Sequence, residues 1–423
     1  MNSKQLYKKT ILLLEHEGNI KEYALEKAKE RGYRILMISN TYFDLFDKYI
    51  DSADILITDV FDMGKLIIDV SCFLANRNVS VDAVGTFREN LVIQAADLAE
   101  AFNVIGVGSG AARRSSQNKL LMRQSLRNAG FKNQPDFTVA NLYDPNIHNV
   151  IKKFSKPCVV KPLYGTASLG VKKITDNDTI IDDLNYVKNS LASTNRGAFK
   201  KFQGEIIIEQ YVPGRVISID GIVKNEEVNI IGSIDFIMGP EPYFVQESSF
   251  IPAKLSVEEK DICENLTRRI IKILGFKTAG FHCELRLENG HAQLLEIAAR
   301  LPGAGIYSTY NKVLDIDLIG LMFDAWLGID IPNIYNVHKI NFHHNVQIVD
   351  MHSKKLIDIS DIQITKNKLN IDYIKQIAQK GDNISCDPAH PTIVYEYSIS
   401  GTDYEHLNFL AQKVQDDMTY RIE

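Results

Sequence analysis

Residues 281–305 read FHCELRLENGHAQLLEIAARLPGAG, and the reading of the fold turns on them. Two apolar runs, Phe281–Leu287 and Ala292–Ala298, flank the polar stretch Glu288-Asn289-Gly290. An Asn-Gly turn between such runs is the strongest short-range signal of a β-hairpin. Counted from the turn, Glu284 and Glu296 lie at similar depths on paired strands and can face each other across the sheet. Two carboxylates side by side in apolar surroundings repel each other. A hard divalent cation relieves that repulsion, and Mg²⁺ is usually held by one or two carboxylates plus substrate phosphates. Arg300 and the Pro-Gly-Ala-Gly stretch that ends at Gly305 follow directly, adding a cation and exposed backbone N–H groups. A sheet edge with two solvated glutamates has the same local pattern, so the rest of the chain decides between them.

Working outward, Lys161 ends the apolar run Cys158-Val159-Val160 and opens a small-residue loop, PLYGTASLG, at 162–170. A strand that delivers a lysine into a Gly/Ser/Thr loop is a device for gripping phosphates: the loop offers N–H donors and the lysine a point charge. GxxxxGK[ST] does not occur there, so this is not a Walker A loop. Residues 205–214 read EIIIEQYVPG, an apolar strand followed by Glu209, Gln210 and a Pro-Gly turn. Polar groups at a strand end beside exposed backbone suit the hydrogen-bonding edge of an adenine.

At 423 residues the chain is long enough for two or three domains with sizeable cores. Its 45% hydrophobic and 24% charged content is that of an ordinary globular protein. A net charge of −5 and the lack of a long Lys/Arg run argue against nucleic-acid binding. The apolar run Ile11–Leu14 stops at Glu15, too short for a signal-peptide core or a membrane span, so a cytoplasmic location and no membrane partner are expected. Five cysteines, Cys72, Cys158, Cys263, Cys283 and Cys386, include no Cys-x-x-Cys pair, which argues against zinc and a disulfide framework. Cys283 points to the strand face opposite Glu284 and reads as a buried, inert thiol.

The first hundred residues alternate strand and helix patterns, with strands expected at Thr10–Leu14, Arg34–Ile38, Ile55–Thr58, Ala83–Thr86 and Val104–Val107. That is the βαβ pattern of a helix-covered parallel sheet. Gly106–Ala111 formally fits the dinucleotide fingerprint GxGxxA. It ends the alternating region rather than opening it, and no acid stands about 20 residues on, so it reads as a Gly-rich exit from a strand. A helix is expected at Ser115–Asn128, with Lys119 early in it, Gly130 past its end and Pro135 beyond. Strands follow at Val216–Val223 and Val228–Ile237, then a loop to Leu255, a helix at Ser256–Leu274, the hairpin, and a helix at Asp317–Leu327. The expected architecture is α/β: an N-terminal parallel-sheet domain (1–112), a two-part catalytic region (113–335) with a lid at about 137–213, and a small α+β structural subdomain (336–423) ending in the helix Tyr404–Met418.

In order and spacing these pieces resemble the ATP-grasp superfamily, over roughly residues 10 to 330. The carriers are Lys119 in QNKLLMRQSLRNAGF, Lys161 with its loop, Glu209-Gln210-Tyr211-Val212, and the Glu284/Glu296/Arg300 cluster. Within it the chain is similar to the L-amino-acid ligases: His282-Cys283-Glu284 resembles their His-Thr-Glu strand, Glu296–Arg300 their Glu-x-x-Ala-Arg, and Glu247 in VQESSFIPAKL their substrate loop. The sequence departs from other relatives at Ala298, where many have Asn, and at Val216, where several carry a ribose-binding acid. The resemblance implies joining of a carboxylate to an amine through an acyl phosphate, with release of ADP and phosphate. It implies ATP contacts from Lys119, from Lys161, Gly165, Ala167, Ser168 and Gly170, and from Glu209, Gln210, Tyr211 and Val212. Glu284 and Glu296 would hold Mg²⁺, or Mn²⁺ in its place. Arg300, with Lys161, would act in catalysis; Arg300, Glu247, His282, Gly303 and Glu89 would line the amino-acid site. For His282 a packed structural imidazole fits as well as a substrate contact. The partners implied are small-molecule amino acids, and a homodimer is compatible with the sequence. A carboxylase-type or purine-pathway ATP-grasp enzyme, and a catalytically silent nucleotide-binding protein, are the alternative readings.

Overall fold

The structure is a computed structural model, described here over residues 8–15, 22–165, 168–192, 203–239, 241–303, 305–332, 336–348, 354–369, 371–384 and 391–423. At the N-terminus four parallel strands lie in the order Ile55–Ile57, Tyr33–Ser39, Lys9–Glu15, Ala83–Thr86. Their near-continuous apolar runs are explained by burial on both faces. Ile11, Leu13, Ile35 and Met37 enter a core with Phe323 and Trp326, while Leu12, Leu14, Leu36 and Ile38 enter another with Leu66, Val70 and Phe73. The expected fifth strand at Val104–Val107 does not form: its pairing with the sheet is the single bridge Ala83–Ile105. The segment turns instead into a short helix, Ser109–Arg113, whose first N–H and hydroxyl are both bonded to the Glu100 carboxylate at 2.8 Å. An acid of the chain itself therefore occupies the turn that mimics a dinucleotide fingerprint.

Within the expected lid, Phe137–Asn141, Glu205–Gln210, Cys158–Pro162 and Lys172–Ile174 form an antiparallel sheet in that order. The helices Ile147–Lys153 and Ile180–Ala192 cover it, closing a separate core around Ile151, Val160, Leu184, Ile206 and Ile208.

The largest sheet has eight strands, in the order His291–Ala298, Ala279–Glu288, Arg215–Lys224, Glu227–Met238, Gln246–Ile251, Ile340–Ile348, Thr392–Gly401, Tyr373–Gln376. Two features depart from the sequence expectation. Gln246–Ile251, expected as part of a loop, is a strand hydrogen-bonded on both sides. Its polar start has little strand propensity, and pairing with two neighbours overrides that. Residues beyond 336 also extend the sheet by three strands while keeping a core around Tyr395, Tyr397, Leu407 and Val414. The hairpin itself forms as expected. Asn289 (φ 49°) and Gly290 (φ 75°) both take the left-handed conformation of a type I′ turn, and Glu284 stands directly opposite Glu296 with a bulge after it. Behind the hairpin packs the helix Val257–Leu274, started by a Ser256/Glu259 capping box and stopped by Gly275 in the left-handed region. Among the described residues no helix is long and apolar enough to cross a membrane.

Candidate active site

Between the four-stranded antiparallel sheet and the hairpin lies a cleft of about 880 Å³, including the space open to solvent. Its walls carry Lys119, Lys161, Glu209, Glu284 and Glu296, brought from four separate stretches of chain. Lys119 is the first residue of the helix Lys119–Asn128, whose start is fixed by the Asn118 side chain accepting from the Leu121 N–H at 3.1 Å. The preceding residues form a short 3₁₀ turn rather than the α-helix expected from Ser115. From that position the buried Lys119 ammonium stands 3.4 Å from the Glu296 carboxylate. Burial works against ionisation of Glu296, but Lys119, Lys161 and His282 outweigh it and hold its carboxyl below the usual range. The carboxylate pair thus has cations of the chain around it as well as room for a metal.

Lys161 lies on Cys158–Pro162, one of the two inner strands of the four-stranded antiparallel sheet, with its Nζ 2.6 Å from Glu209 Oε2. The other oxygen of Glu209 takes the Arg123 guanidinium at 2.8 Å. Arg123 is fully buried one helical turn beyond Lys119, and it also donates to the Leu294 carbonyl at 3.1 Å and the Leu295 carbonyl at 2.7 Å. One side chain therefore ties the Lys119 helix, the Glu209 strand and the strand bearing Glu296. Glu209, expected to meet the adenine edge, has its carboxylate committed to Arg123 and Lys161. Burial pushes its pKa up, yet Arg123 and then Lys161 hold it at about 2. For Lys161 burial is the main influence and lowers its pKa, against the pull of Glu209. Sequence reasoning missed Arg123; the signal was an arginine at i+4 from Lys119 on the same helix face.

His282 is buried, with Nδ1 2.6 Å from Asp220 Oδ1 and Nε2 3.0 Å from Glu284 Oε1. Burial disfavours its charge, but Asp220 and Glu284 prevail and raise its pKa to about 10. With both ring nitrogens engaged, its geometry is that of a structural imidazole that orients Glu284, not of a free substrate contact. Asp220 in turn accepts from the Tyr310 hydroxyl at 2.6 Å and the Ser218 hydroxyl at 3.0 Å. Gly232 makes room for this network, since a Cβ there would lie 2.5 Å from the Tyr310 ring. Asp220 also escaped the sequence reading, although an acid inside the apolar strand RVISIDGIVK was a signal.

Arg300, expected beside Glu296, forms its ion pair among the described residues with Glu89, at 2.7 Å. Its Nη1 also donates to the Leu301 carbonyl at 2.9 Å. The pair brings two of the expected amino-acid-site residues together, one from just past the strand Ala83–Thr86 and one from just past the hairpin, beside a small cavity that Arg300, Thr86 and Trp326 line. Glu247 is half-buried on the strand Gln246–Ile251, packed over Gly239 and outside the cleft lining. Gly303 accepts the Ile306 N–H at 2.9 Å where the helix Ile306–Leu314 starts. Gly165 and Ser168 line the cleft, and Ser168 and Gly170 adopt φ of 54° and 70°. Ala167 lies outside the described residues. Gln210, Tyr211 and Val212 also line the cleft, though the amides of Gln210 and Tyr211 bond to Asp136 and Pro157 carbonyls at 2.8 and 3.0 Å. Cys283 is fully buried, and burial pushes its thiol well above the usual range, as its place opposite Glu284 implied.

The donor set fits a hard divalent cation. Glu284 and Glu296 are oxygen ligands in register, and no group of three or more metal-ligating side chains occurs among the described residues, so phosphates and water would complete the shell.

Comparison with known proteins agrees with this geometry. The ATP-grasp domain family matches residues 154–310. Alanine–anticapsin ligase of Bacillus subtilis (strain 168) is 28% identical over 257 residues, covering 58% of this chain and 53% of that protein. The chain thus spans about half the length of the curated relatives it matches. In fold it is similar to the L-amino acid ligase from Bacillus licheniformis, at TM-score 0.78 and 18% identity, over 98% of this chain and 99% of that one. It is also similar to N5-carboxyaminoimidazole synthetase from Staphylococcus aureus complexed with ADP, at TM-score 0.70 and 16% identity over 98% of both chains. The family match falls on the segment that carries Lys161, Glu209, Glu284, Glu296 and Arg300, so the ATP-grasp resemblance rests on the same residues that meet in the cleft.

Proposed function

We propose that the protein is an ATP-dependent carboxylate–amine ligase that joins two amino acids into a dipeptide and releases ADP and phosphate. The observation that carries this reading is the convergence of Glu284, Glu296, Lys119 and Lys161 on one cleft. Likeness to alanine–anticapsin ligase supports amino acids as the substrate class. In the first half-reaction a substrate carboxylate oxygen attacks the γ-phosphorus of ATP, forming an O–P bond as the bond to ADP breaks. In the second an amine attacks the acyl carbon, the C–O bond to phosphate breaks, and the amine sheds a proton. Phosphoryl transfer needs charge neutralisation and alignment more than covalent help. Lys119 and Lys161 supply cations, Glu284 and Glu296 would hold Mg²⁺, and His282 with Asp220 keeps Glu284 aimed. Bound there, the metal would neutralise phosphate charge. Residues 137–213 would form the lid that excludes water from the acyl phosphate, and Arg300 with Glu89 would lie at the amino-acid end.

The test is a screen of ADP and phosphate release over pairs of the common amino acids, with bicarbonate as a separate acceptor arm. Dipeptide formed in equal amount to ADP is the expected result. AMP as the stoichiometric product, or turnover with bicarbonate alone, would overturn the reading.

A further inference from the structure

Among the described residues Arg286 is the one arginine that lines the cleft, and the mechanism above leaves it unused. It follows Glu284 by two residues on the strand Ala279–Glu288, so it projects from the same face, about 7 Å farther along. That displacement leads away from the carboxylate pair and toward the Tyr211–Val212 end of the cleft. The guanidinium lies 5.7 Å from the Tyr211 ring and 5.8 Å from the Phe244 ring, and its Nη1 donates to the Gly214 carbonyl at 2.6 Å. It is 8% exposed, and its Nε has no hydrogen-bond partner among the described residues. A buried guanidinium short of acceptors costs free energy, so a group that binds in the cleft and accepts from it gains the difference. Val216, the cross-strand partner of Arg286, also lines the cleft but is apolar and offers nothing to a hydroxyl.

We propose that Arg286 is the residue that recognises the ribose, its guanidinium donating to a ribose hydroxyl oxygen of the bound nucleotide. The inference rests on the nucleotide-site reading above. With the phosphates at Glu284 and Glu296 and the base beside Tyr211 and Val212, the sugar falls between them, where Arg286 stands. The two aromatic rings and the Gly214 carbonyl hold the guanidinium plane in place, so little side-chain freedom is lost on binding.

Binding of ATP, 2′-deoxyATP and 3′-deoxyATP, measured by calorimetry with Mg²⁺ and without amino acids, tests this apart from catalysis. The wild-type protein should bind one of the deoxy nucleotides on the order of 10- to 100-fold more weakly than ATP, the range for a hydrogen bond from a charged donor. In Arg286→Met that preference should vanish while the affinity for the disfavoured deoxy nucleotide stays near wild type. Arg286→Lys should recover part of it. Equal binding of all three nucleotides by the wild type would overturn the assignment and needs no variant. A uniform loss in Arg286→Met that leaves the preference intact would make Arg286 a charge contact to phosphate, and would overturn it too. If the wild type binds no ATP, or if Lys161→Met leaves ATP binding unchanged, the nucleotide-site reading itself fails.

Discussion

Replacing Arg123 by methionine should destabilise the protein by about 3–5 kcal/mol, the range for removing one partner of a buried ion pair. The guanidinium is fully buried, and its two contacts to Glu209 are 2.8 and 3.3 Å. Methionine nearly fills the volume, so the loss is electrostatic: Glu209, 3% exposed, keeps Lys161 alone. The Leu294 and Leu295 carbonyls lose their donor as well, at about 1–3 kcal/mol for each buried group left unpaired, though these costs overlap rather than add. Arg123→Lys should recover only part, because one ammonium cannot serve a carboxylate and two carbonyls at once. The assay is urea unfolding at pH 7, followed together by circular dichroism and by fluorescence of the single tryptophan, Trp326. The pH dependence gives an independent check. The Glu209 pKa is depressed to about 2 from an ordinary 4.5, so its stabilisation is complete above 4.5 and is lost as pH falls through about 2. The stability gap between the wild type and Glu209→Gln should therefore be flat above about pH 5 and close steadily below it. A loss under about 1 kcal/mol in Arg123→Met, or a gap that widens in acid, would show that this ion pair does not hold the three elements together.

Glu296→Gln should abolish turnover and Mg²⁺-dependent tightening of ATP binding while leaving the fold intact. With Lys119 3.4 Å away and cations lowering its pKa, the apo variant should be slightly less stable, contrary to what repulsion between the carboxylates alone suggests; a gain in melting temperature would contradict the cation shell. His282→Gln should weaken Mg²⁺ about 10- to 100-fold, as loss of a partner that orients a metal ligand does, with ATP binding in the absence of metal barely changed. Titrating Mg²⁺ against bound nucleotide decides this, and an unchanged midpoint would leave His282 a packing residue. Arg300→Lys should lower kcat by about 10²–10³ with little effect on the KM for ATP, because an ammonium lacks the fork that a carboxylate or acyl phosphate accepts. Near-wild-type kcat would leave Arg300 as a structural partner of Glu89.

What the chain reveals locally and what it does not divide along a physical line. The hairpin, its Glu284/Glu296 register, the lysine-bearing strand and the helix Val257–Leu274 were legible because each rests on neighbours within a few residues. An Asn-Gly pair sets a two-residue turn, a turn sets register, and a Ser-x-x-Glu box with a following glycine sets both ends of a helix. The elements misjudged from sequence were those whose pairing is long-range. Val104–Val107 has the composition of a strand but joins the parallel sheet by a single bridge and gives its Gly106 and Val107 carbonyls to the Thr278 and Lys277 amides instead, whereas Gln246–Ile251 lacks that composition and finds a strand on each side. The partners of the site's charges were out of sight for the same reason. Arg123 meets Glu209 across 86 residues, His282 meets Asp220 across 62, and Arg300 meets a glutamate of the N-terminal sheet domain instead of the one four residues away. Sequence by itself determined which chemical groups are available and which short elements carry them. Only the tertiary structure decided which groups share a burial site, because a charge removed from water must be paired by whatever the fold brings within hydrogen-bond reach, whatever its distance along the chain.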